Sequence, residues 1–243
     1  MFVATDRTRI LVDAGLSRRE IGKRLAAIGE DLAGLDAILI THEHADHVTG
    51  LIPLSKGVDR RVPVYMTHKT APYIDWAEST PVVESFQAGC GFTIGDFDIA
   101  SFTIPHDAAD PVGYTLTAHG VKVAIATDLG YVTDSLRVHL RKTDLLLLES
   151  NHDLEMLRVG PYPWSVKQRV MSRRGHLSNE VAADFLQRDL DTSVSTVVLG
   201  HISEHNNHPE LVRNLAIKAL DGRALWTRLV VAAPGVQSEV FTY

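Results

Sequence analysis

The sequence predicts an α/β (α+β) protein built as an αββα sandwich, in which two mixed β-sheets face each other with helices outside. Short apolar runs typical of strands alternate along the chain with stretches typical of helices. Residues that can bind metal follow several of these strand-like runs. The chain has 243 residues, of which 45% are hydrophobic and 22% charged, and it contains no linker or low-complexity tract. One domain over residues 1–243 is therefore the simplest prediction.

The first half of the chain favours three strands and three helices. The strands are predicted over Thr8 to Asp13, Asp36 to Ile40 and Val64 to Met66. Ser17 and Glu20 form a capping box, which predicts a helix to about Ile28. A second helix is expected to start near Asp46 and to stop before Pro53, and a third to follow the strand at Met66 and run to about Ala77.

The second half favours six strands and four helices. Strands are predicted over Phe97 to Ile104, Val112 to Ala118, Val121 to Ala126, Leu145 to Leu148, Val194 to Leu199 and Val236 to Phe241. His119-Gly120 predicts a hairpin turn. Helices are predicted after the cap Thr133, after Pro161-Tyr162-Pro163, over Leu177 to Leu190 and over Pro209 to Leu220.

The most specific motif is His42-Glu43-His44-Ala45-Asp46-His47, directly after an apolar run. It places three imidazoles and a carboxylate within six residues. In an extended segment, side chains two positions apart point the same way, so His42 and His44 can bind one ion. Asp46 and His47 begin the following turn and can face a second ion. Neutral imidazole and carboxylate suit Zn²⁺ and neighbouring first-row metals.

Three further ligand-type residues lie where other strand-like runs end. His106 follows Phe97 to Ile104, Asp128 follows Val121 to Ala126, and His201 follows the strand that ends at Leu199. Functional side chains gather at such strand ends because a rigid sheet positions the loops that carry them. We therefore expect these residues to complete the metal site.

The constellation resembles the metallo-β-lactamase superfamily of metal-dependent hydrolases, from Ile10 to the C-terminus. The resemblance implies the metallo-β-lactamase fold and two divalent metal ions, Zn or Mn, with a hydroxide between them. It implies one ion held by His42, His44 and His106, a second held by Asp46, His47 and His201, and Asp128 as the bridge.

Finer features favour a nuclease. Asp128 stands where one class of zinc β-lactamases carries Cys, and His44 stands where di-iron flavoprotein oxidases carry Glu. The chain is most similar to the YycJ-like (WalJ-like) branch, which implies double-stranded DNA 5′-to-3′ exonuclease activity. Two segments also resemble ribonuclease Z motifs. The segments that carry these resemblances are Leu11 to Gly15, Thr41 to His44, Glu149 to Asp153, Gly175 to Asn179 and Gly200 to Asn207.

Catalytic roles follow from the same resemblance. Carried over from ribonuclease Z-like enzymes, Glu149 would orient His176, which would act as general acid. Asp46 is assigned as a catalytic residue as well as a ligand. Asp13, at the end of an early strand, is either the partner that orients a ligating histidine or a turn residue.

The charge distribution bears on the substrate. A net charge of −6 is a mild argument against nucleic acid. Two basic clusters exist, around Arg18 to Arg24 and over Arg158, Lys167, Arg169, Arg173 and Arg174, and each is either a phosphate-binding track or a solvated helix face. His152, Arg173, Arg174 and His205 are candidate substrate contacts. Residues 205–208 either contact a phosphate or form a polar loop.

Several functions therefore remain open. DNA is favoured over RNA as the substrate, and an RNA-processing nuclease is the alternative. Hydrolysis of a small molecule (a thioester, lactone or cyclic phosphodiester) and a metal-bound scaffold without turnover are further alternatives, because substrate loops rather than ligands decide this. A single cysteine and the absence of an apolar segment of membrane-spanning length favour a cytoplasmic protein without membrane contact. The oligomeric state is not predicted.

Overall fold

The computed structural model describes residues 1–56, 62–77, 81–223 and 226–243. It divides into two compact units. The N-terminal unit comprises Met1–Thr103 and Ala108–Val112, and the C-terminal unit comprises Ile104–Asp107 and Gly113–Tyr243. The prediction of one domain stays a prediction, and the two units are described in turn.

The N-terminal unit contains a five-stranded mixed sheet with short helices. Strands β1 to β5 hydrogen-bond in chain order, antiparallel between β1 and β2 and parallel elsewhere. A hairpin of β6 and β7 follows. The strands are β1 (Phe2–Ala4), β2 (Arg9–Val12), β3 (Ala37–Leu39), β4 (Val64–Thr67), β5 (Val83–Phe86), β6 (Gly91–Ile94) and β7 (Phe97–Thr103), and the helices are α1 (Arg18–Ala26), α2 (Ala45–Val48) and α3 (Leu51–Ser55).

The core of this unit lies between its sheet and helices. Ile21 and Leu25 of α1 and Leu51 of α3 belong to one buried cluster with Ile38 and Val64 of the sheet. Burial of such aliphatic side chains contributes about 1.5–3 kcal/mol each. This packing holds the carboxyl ends of β2 and β3, from which the functional loops leave.

The C-terminal unit contains a second mixed sheet. Five strands hydrogen-bond in the order β12-β11-β10-β9-β8, antiparallel between β8 and β9 and parallel elsewhere. The strands are β8 (Val112–Ala118), β9 (Val121–Ala126), β10 (Leu145–Glu149), β11 (Thr196–Gly200) and β12 (Arg228–Val231), and the helices are α4 (Asp134–His139), α5 (Leu154–Val159), α6 (Trp164–Val170), α7 (Asn179–Arg188) and α8 (Pro209–Leu220). Because β9, β10 and β11 are parallel, their carboxyl ends meet at one edge.

Most predicted elements are present. Ser17 caps α1 by accepting a hydrogen bond from the Glu20 N–H, as the capping box predicts. Thr133 caps α4 in the same way. Helix α7 is shorter than predicted, because Ser178 is its N-cap and Leu177 lies outside it. Two sheets that each mix parallel and antiparallel pairs, with accompanying helices, agree with the predicted fold class.

Three predicted elements are wrong. Pro53 lies inside α3 rather than beyond a helix, because proline is tolerated in the first turn, where its missing N–H has no helical partner. The helix expected up to Ala77 is only a 3₁₀ turn over Ala71–Tyr73. The last strand is β12 (Arg228–Val231), which pairs with β11, while residues 236–241 are irregular.

In the described part of the chain, no helix combines the length and apolar character needed to cross a membrane.

Candidate metal-binding site

In the N-terminal unit, the His-x-His-x-Asp-His motif runs from the loop after β3 into the helix α2, which contains Asp46 and His47. His42 and His47 are buried, while His44 is half-buried and the Asp46 side chain is 67% exposed. The ring centroid of His42 lies 4.6 Å from that of His44 and 4.1 Å from that of His47. The short helix α2 starts immediately after His44, so the turn brings Asp46 and His47 back beside the strand end.

Asp13, at the end of β2, anchors this motif. Its carboxylate contacts His47 Nδ1 at 2.8 Å and accepts a hydrogen bond from the Thr41 backbone N–H at 2.9 Å. The Thr41 hydroxyl in turn contacts His42 Nδ1 at 3.0 Å. Burial raises the pKa of Asp13, but His47, the Thr41 backbone N–H and His42 together outweigh burial and hold the pKa below its ordinary value. Both rings are therefore held through Nδ1, which is the usual way to aim Nε2 at a metal.

Gly15 allows the backbone to close around this turn. A Cβ added there would lie 1.5 Å from the Asp46 carbonyl oxygen, which no side chain tolerates. The same contact is reinforced by the hydrogen bond from the Ala14 N–H to the His47 carbonyl at 2.7 Å. The segment Asp13-Ala14-Gly15 thus supplies both a side-chain and a backbone support for the ligand turn.

The C-terminal unit gathers His106, Asp128 and His201. The Asp128 Oδ1 atom lies 3.3 Å from His201 Nε2 and 3.9 Å from His106 Nε2, so this carboxylate lies between two imidazoles. His106 Nδ1 contacts the Gly175 carbonyl oxygen at 3.1 Å, which requires the proton on Nδ1. Burial lowers the pKa of His106. That shift favours the neutral imidazole, the form that binds metal.

Glu149, at the end of β10, is fully buried and holds two histidines at once. Its Oε1 atom contacts His176 Nδ1 at 2.8 Å and His201 Nδ1 at 2.9 Å. Its Oε2 atom accepts hydrogen bonds from the backbone N–H groups of Leu129 and Leu177. Burial raises the pKa of Glu149, but the His176 and His201 contacts outweigh it and lower the pKa to about 2. Glu149 is thus an ionised carboxylate with four donors.

His176 contacts this carboxylate through Nδ1, and its role as general acid stays a prediction. Burial lowers the pKa of His176, but the contact with Glu149 outweighs it, and the net pKa lies above the ordinary value. The ring stacks on His201 with centroids 5.4 Å apart. One ligand-type atom from each of Asp128, Glu149, His176 and His201 falls within 4.8 Å of the others.

A buried pair of amides ties together the loops that carry these residues. Asn179 and Asn207 exchange reciprocal side-chain hydrogen bonds of 2.8 Å. Asn207 also donates to the Ser150 and Asn151 carbonyls, and Asn151 donates to the His201 carbonyl. The sequence did not predict this role for Asn207, which is buried rather than available to phosphate. The only signal in the sequence was that Asn207 lies in the segment Gly200 to Asn207, which resembles the YycJ-like branch.

Three of these strand-end residues have left-handed backbone. The φ angles are 61° for Asp13, 61° for Asp128 and 55° for His201. Non-glycine residues adopt this conformation at a cost, and such strain concentrates at functional sites. All three positions therefore support a functional interpretation of these strand ends.

The candidate substrate contacts differ in exposure. His152 is buried, and burial lowers its pKa to about 4, so it is neutral at neutral pH. His205 is exposed, with its ring 6.1 Å from that of Tyr162. Arg173 and Arg174 are exposed too. A direct phosphate contact is therefore open to the last three but not to His152 in this conformation.

The basic cluster over residues 158–174 is not a continuous phosphate track. Lys167 is buried and donates to the Arg158 and Gly160 carbonyls, so it serves the fold. Arg169 is hydrogen-bonded to Asp107, and Arg158 is paired with Glu155 at 2.6 Å. The exposed basic groups without a carboxylate partner in this segment are Arg173 and Arg174, within the described residues.

The donor set suits divalent metal. Within each unit, imidazole nitrogens and a carboxylate oxygen come together at strand ends, with their rings fixed by Thr41, Asp13, Glu149 or the Gly175 carbonyl. Such partners on the far ring nitrogen are characteristic of metal-ligating histidine. Histidine and aspartate with no thiolate are compatible with both Zn²⁺ and Mn²⁺.

Comparison with known protein families identifies the family of this chain. The family model described as "Beta-lactamase superfamily domain" matches residues 8–202. The chain is 38% identical over 226 residues to Exodeoxyribonuclease WalJ of Streptococcus pneumoniae serotype 2, covering 90% of this chain and 82% of that protein. It is 36% identical over 224 residues to Exodeoxyribonuclease YycJ of Bacillus anthracis, covering 91% and 84%.

Among solved structures, the chain is similar to the metallo-β-lactamase fold protein YhfI from Bacillus subtilis. The TM-score is 0.73 at 20% identity, with 97% of this chain and 88% of that chain covered. At this identity the likeness concerns the fold alone, and it confirms the predicted fold.

Proposed function

The chain belongs to the β-lactamase superfamily and is a metal-dependent hydrolase; we propose that it is a double-stranded DNA 5′-to-3′ exonuclease. The observation that carries the proposal is the similarity to two exodeoxyribonucleases over about nine-tenths of the chain. The site geometry supports it, because each unit presents imidazole and carboxylate donors at strand ends. The cytoplasm stays the predicted location.

We propose two divalent ions, Zn or Mn, as cofactors. The ligand assignment is the one that the family resemblance gives: His42, His44 and His106 for one ion, Asp46, His47 and His201 for the other, and Asp128 for both. When bound, such a pair of ions activates water and offsets the charge that develops on phosphorus. The chain's own contribution is to hold neutral imidazoles and ionised carboxylates in fixed orientations.

His176 is the proposed general acid, with Glu149 as its positioning residue. His176 Nδ1 is occupied by the Glu149 carboxylate, so Nε2 is the nitrogen that would face the leaving oxygen. A carboxylate on Nδ1 fixes the tautomer and stabilises the imidazolium. A proton held on Nε2 would pass to the 3′ oxygen that leaves as each phosphodiester bond breaks. Asp46, which is exposed, stays in the proposal as a ligand and catalytic residue.

The proposal is tested on blunt duplex DNA labelled at the 3′ end, with Mn²⁺ or Zn²⁺, so that each strand shortened from the 5′ end keeps its label. We expect stepwise release of nucleotides from the 5′ end. Asp128→Ala should abolish it, and His176→Ala should slow it about 100-fold, the usual size of a general-acid contribution. The exposed Arg188, paired with Asp184 on α7, offers a matched control: Arg188→Ala should leave the rate unchanged.

Other outcomes would select the alternatives. Cleavage of RNA in preference to DNA would favour an RNA-processing nuclease. Turnover of bis(p-nitrophenyl) phosphate or a thioester without cleavage of either polymer would move the function to small molecules. No turnover with any metal would contradict an enzyme.

A further inference from the structure

The segment Asp153–Gly175, called the helical arm below, differs in charge from the rest of the chain. It contains α5, α6 and the turn between them. Five basic residues (Arg158, Lys167, Arg169, Arg173 and Arg174) and two acidic residues (Asp153 and Glu155) give it a formal charge of +3. The whole chain has −6, so the remainder has −9. Because Lys167 is buried and Arg158 and Arg169 are paired with carboxylates, the positive charge that an approaching polyanion meets on the arm is mainly that of Arg173 and Arg174.

The carboxyl end of the arm is fastened to the loops of two proposed ligands. Gly175 accepts from His106 Nδ1, and Arg174 Nε donates to the His106 carbonyl at 3.2 Å. Gly130, two residues after Asp128, packs against the arm so closely that an added Cβ would lie 2.4 Å from the Arg173 carbonyl carbon. These contacts hold the carboxyl end of the arm against the loops that carry His106 and Asp128.

The arm also exposes apolar side chains. Val159 is 73% exposed and Trp164 is 61% exposed, on either side of the turn between α5 and α6. Exposure alone does not distinguish this surface. Trp226 is 92% exposed, and it precedes β12 at the end of the sheet opposite the carboxyl ends that carry the proposed ligands. What distinguishes Trp164 is that its segment is basic and fastened to the site. An exposed aromatic ring in a positively charged segment is the combination on which nucleic-acid bases stack.

An aromatic ring can contact a base face only where that face is accessible. Inside a duplex each base is covered by its neighbours, whereas a duplex end presents the face of its last base pair. Arg173 and Arg174 are exposed on the same arm, and Arg173 is held over the Tyr131 ring at 4.2 Å, which leaves the edge of its guanidinium to donate to phosphate.

We propose that the helical arm recognises the end of double-stranded DNA, with Trp164 stacked on the terminal base pair and Arg173 and Arg174 on adjacent phosphates. The inference rests on the proposed exonuclease function and deepens it, because it supplies a physical reason for cleavage from an end. The open end, rather than the base sequence, is what the arm would recognise.

The test compares the binding of two fluorescein-labelled duplexes of the same sequence, measured by fluorescence anisotropy with the Mn²⁺-loaded protein. One has blunt ends, and the other is closed at both ends by hairpin loops. Phosphorothioate linkages slow cleavage during the measurement. We expect the wild-type protein to prefer blunt ends, and Trp164→Ala to weaken binding to blunt ends about tenfold. Trp164→Phe keeps an aromatic face and should restore most of the affinity.

Trp226→Ala is the matched control and should bind both duplexes like the wild-type protein. Equal binding of blunt DNA by Trp164→Ala and the wild type, in a protein that degrades DNA, would overturn the inference alone. An equal loss on closed and blunt duplexes would also overturn it, because the arm would then be a general contact. A change in oligomeric state on size-exclusion chromatography of Trp164→Ala would assign Trp164 to self-association instead. A wild-type protein that neither binds nor degrades DNA would overturn both proposals.

Discussion

Asp13 and Glu149 both hold a proposed metal ligand through Nδ1, yet they differ in how much depends on them. The Asp13 side chain is partly exposed and serves His47 and Thr41. Glu149 is fully buried and serves His176, His201 and two backbone N–H groups. Asp13 therefore supports one neighbouring segment, whereas Glu149 joins three loops that lie far apart in sequence.

The difference follows from how each unit delivers its ligands. In the N-terminal unit, four proposed ligands lie within six residues, and one acid at the adjacent strand end contacts His47 directly and supports His42 through Thr41. In the C-terminal unit, the ligands come from separate strand ends. A shared carboxylate and the Asn179–Asn207 amide pair then take the place of sequence proximity. Dispersed ligands need a more extensive buried network.

Among the supporting residues Glu149, Asp13 and Asn207, the largest effect is expected for Glu149→Gln. The amide keeps the size of the side chain, but its NH₂ group faces either two imidazole N–H donors or two backbone donors, so at least one pair loses its acceptor. Each buried group left without a partner costs about 1–3 kcal/mol. We expect the nuclease rate to fall by about 100-fold or more and metal content to fall with it. Metal analysis and the duplex assay measure both.

The control for this change is Asp144→Asn. Asp144 precedes β10 at its other end and accepts a backbone hydrogen bond from Lys122, and among the described residues it contacts no histidine. The substitution Asp144→Asn should lower stability slightly and leave the nuclease rate unchanged. A Glu149→Gln protein with wild-type metal content and rate would contradict the shared-carboxylate account.

Asp13→Asn should have a smaller effect. The Asn oxygen can still accept from Thr41, and only the contact with His47 Nδ1 is lost. Loss of such an orienting partner costs about 10-fold in metal affinity or activity. Competition with a chromogenic chelator would measure the affinity. If Asp13→Asn proves more damaging than Glu149→Gln, the proposed ranking of the two acids is wrong.

Asn207→Ala should have the smallest effect on the rate and a clearer one on stability. It removes a buried amide that donates to two carbonyls and pairs with Asn179, without touching a proposed ligand. We expect the free energy of unfolding to fall by about 2–4 kcal/mol and the nuclease rate to fall only a few-fold. Urea unfolding followed by circular dichroism measures the first, and an unchanged midpoint would show that the pair is dispensable.

The contiguous half of the candidate site is indicated by local spacing in the sequence, whereas the dispersed half is indicated by position after strands and by the family resemblance. His42 to His47 are recognisable because local spacing determines their geometry. His106, Asp128 and His201 share no local pattern, and only their position after strands indicated them. The second histidine on Glu149 could not be foreseen, because it depends on β10 and β11 pairing with Glu149 opposite Gly200.

The fold was predictable where strands are apolar and buried, and less so at the edges. The strand expected at residues 236–241 has alternating polarity, but Arg228–Val231 is the segment that pairs with β11. Which of the two segments forms the last strand depends on pairing with β11, and the sequence does not show that pairing. Similarly, the arm's basic residues formed one cluster in sequence, but the structure directs Lys167 inward and pairs Arg158 and Arg169 with acids.

The left-handed backbone at Asp13, Asp128 and His201 has a consequence for laboratory evolution. Glycine adopts that conformation without penalty, so a selection that rewards only heat resistance would favour glycine at the very positions whose side chains organise the site. Libraries screened for durability should hold these three codons constant, or durable but inactive clones will be enriched.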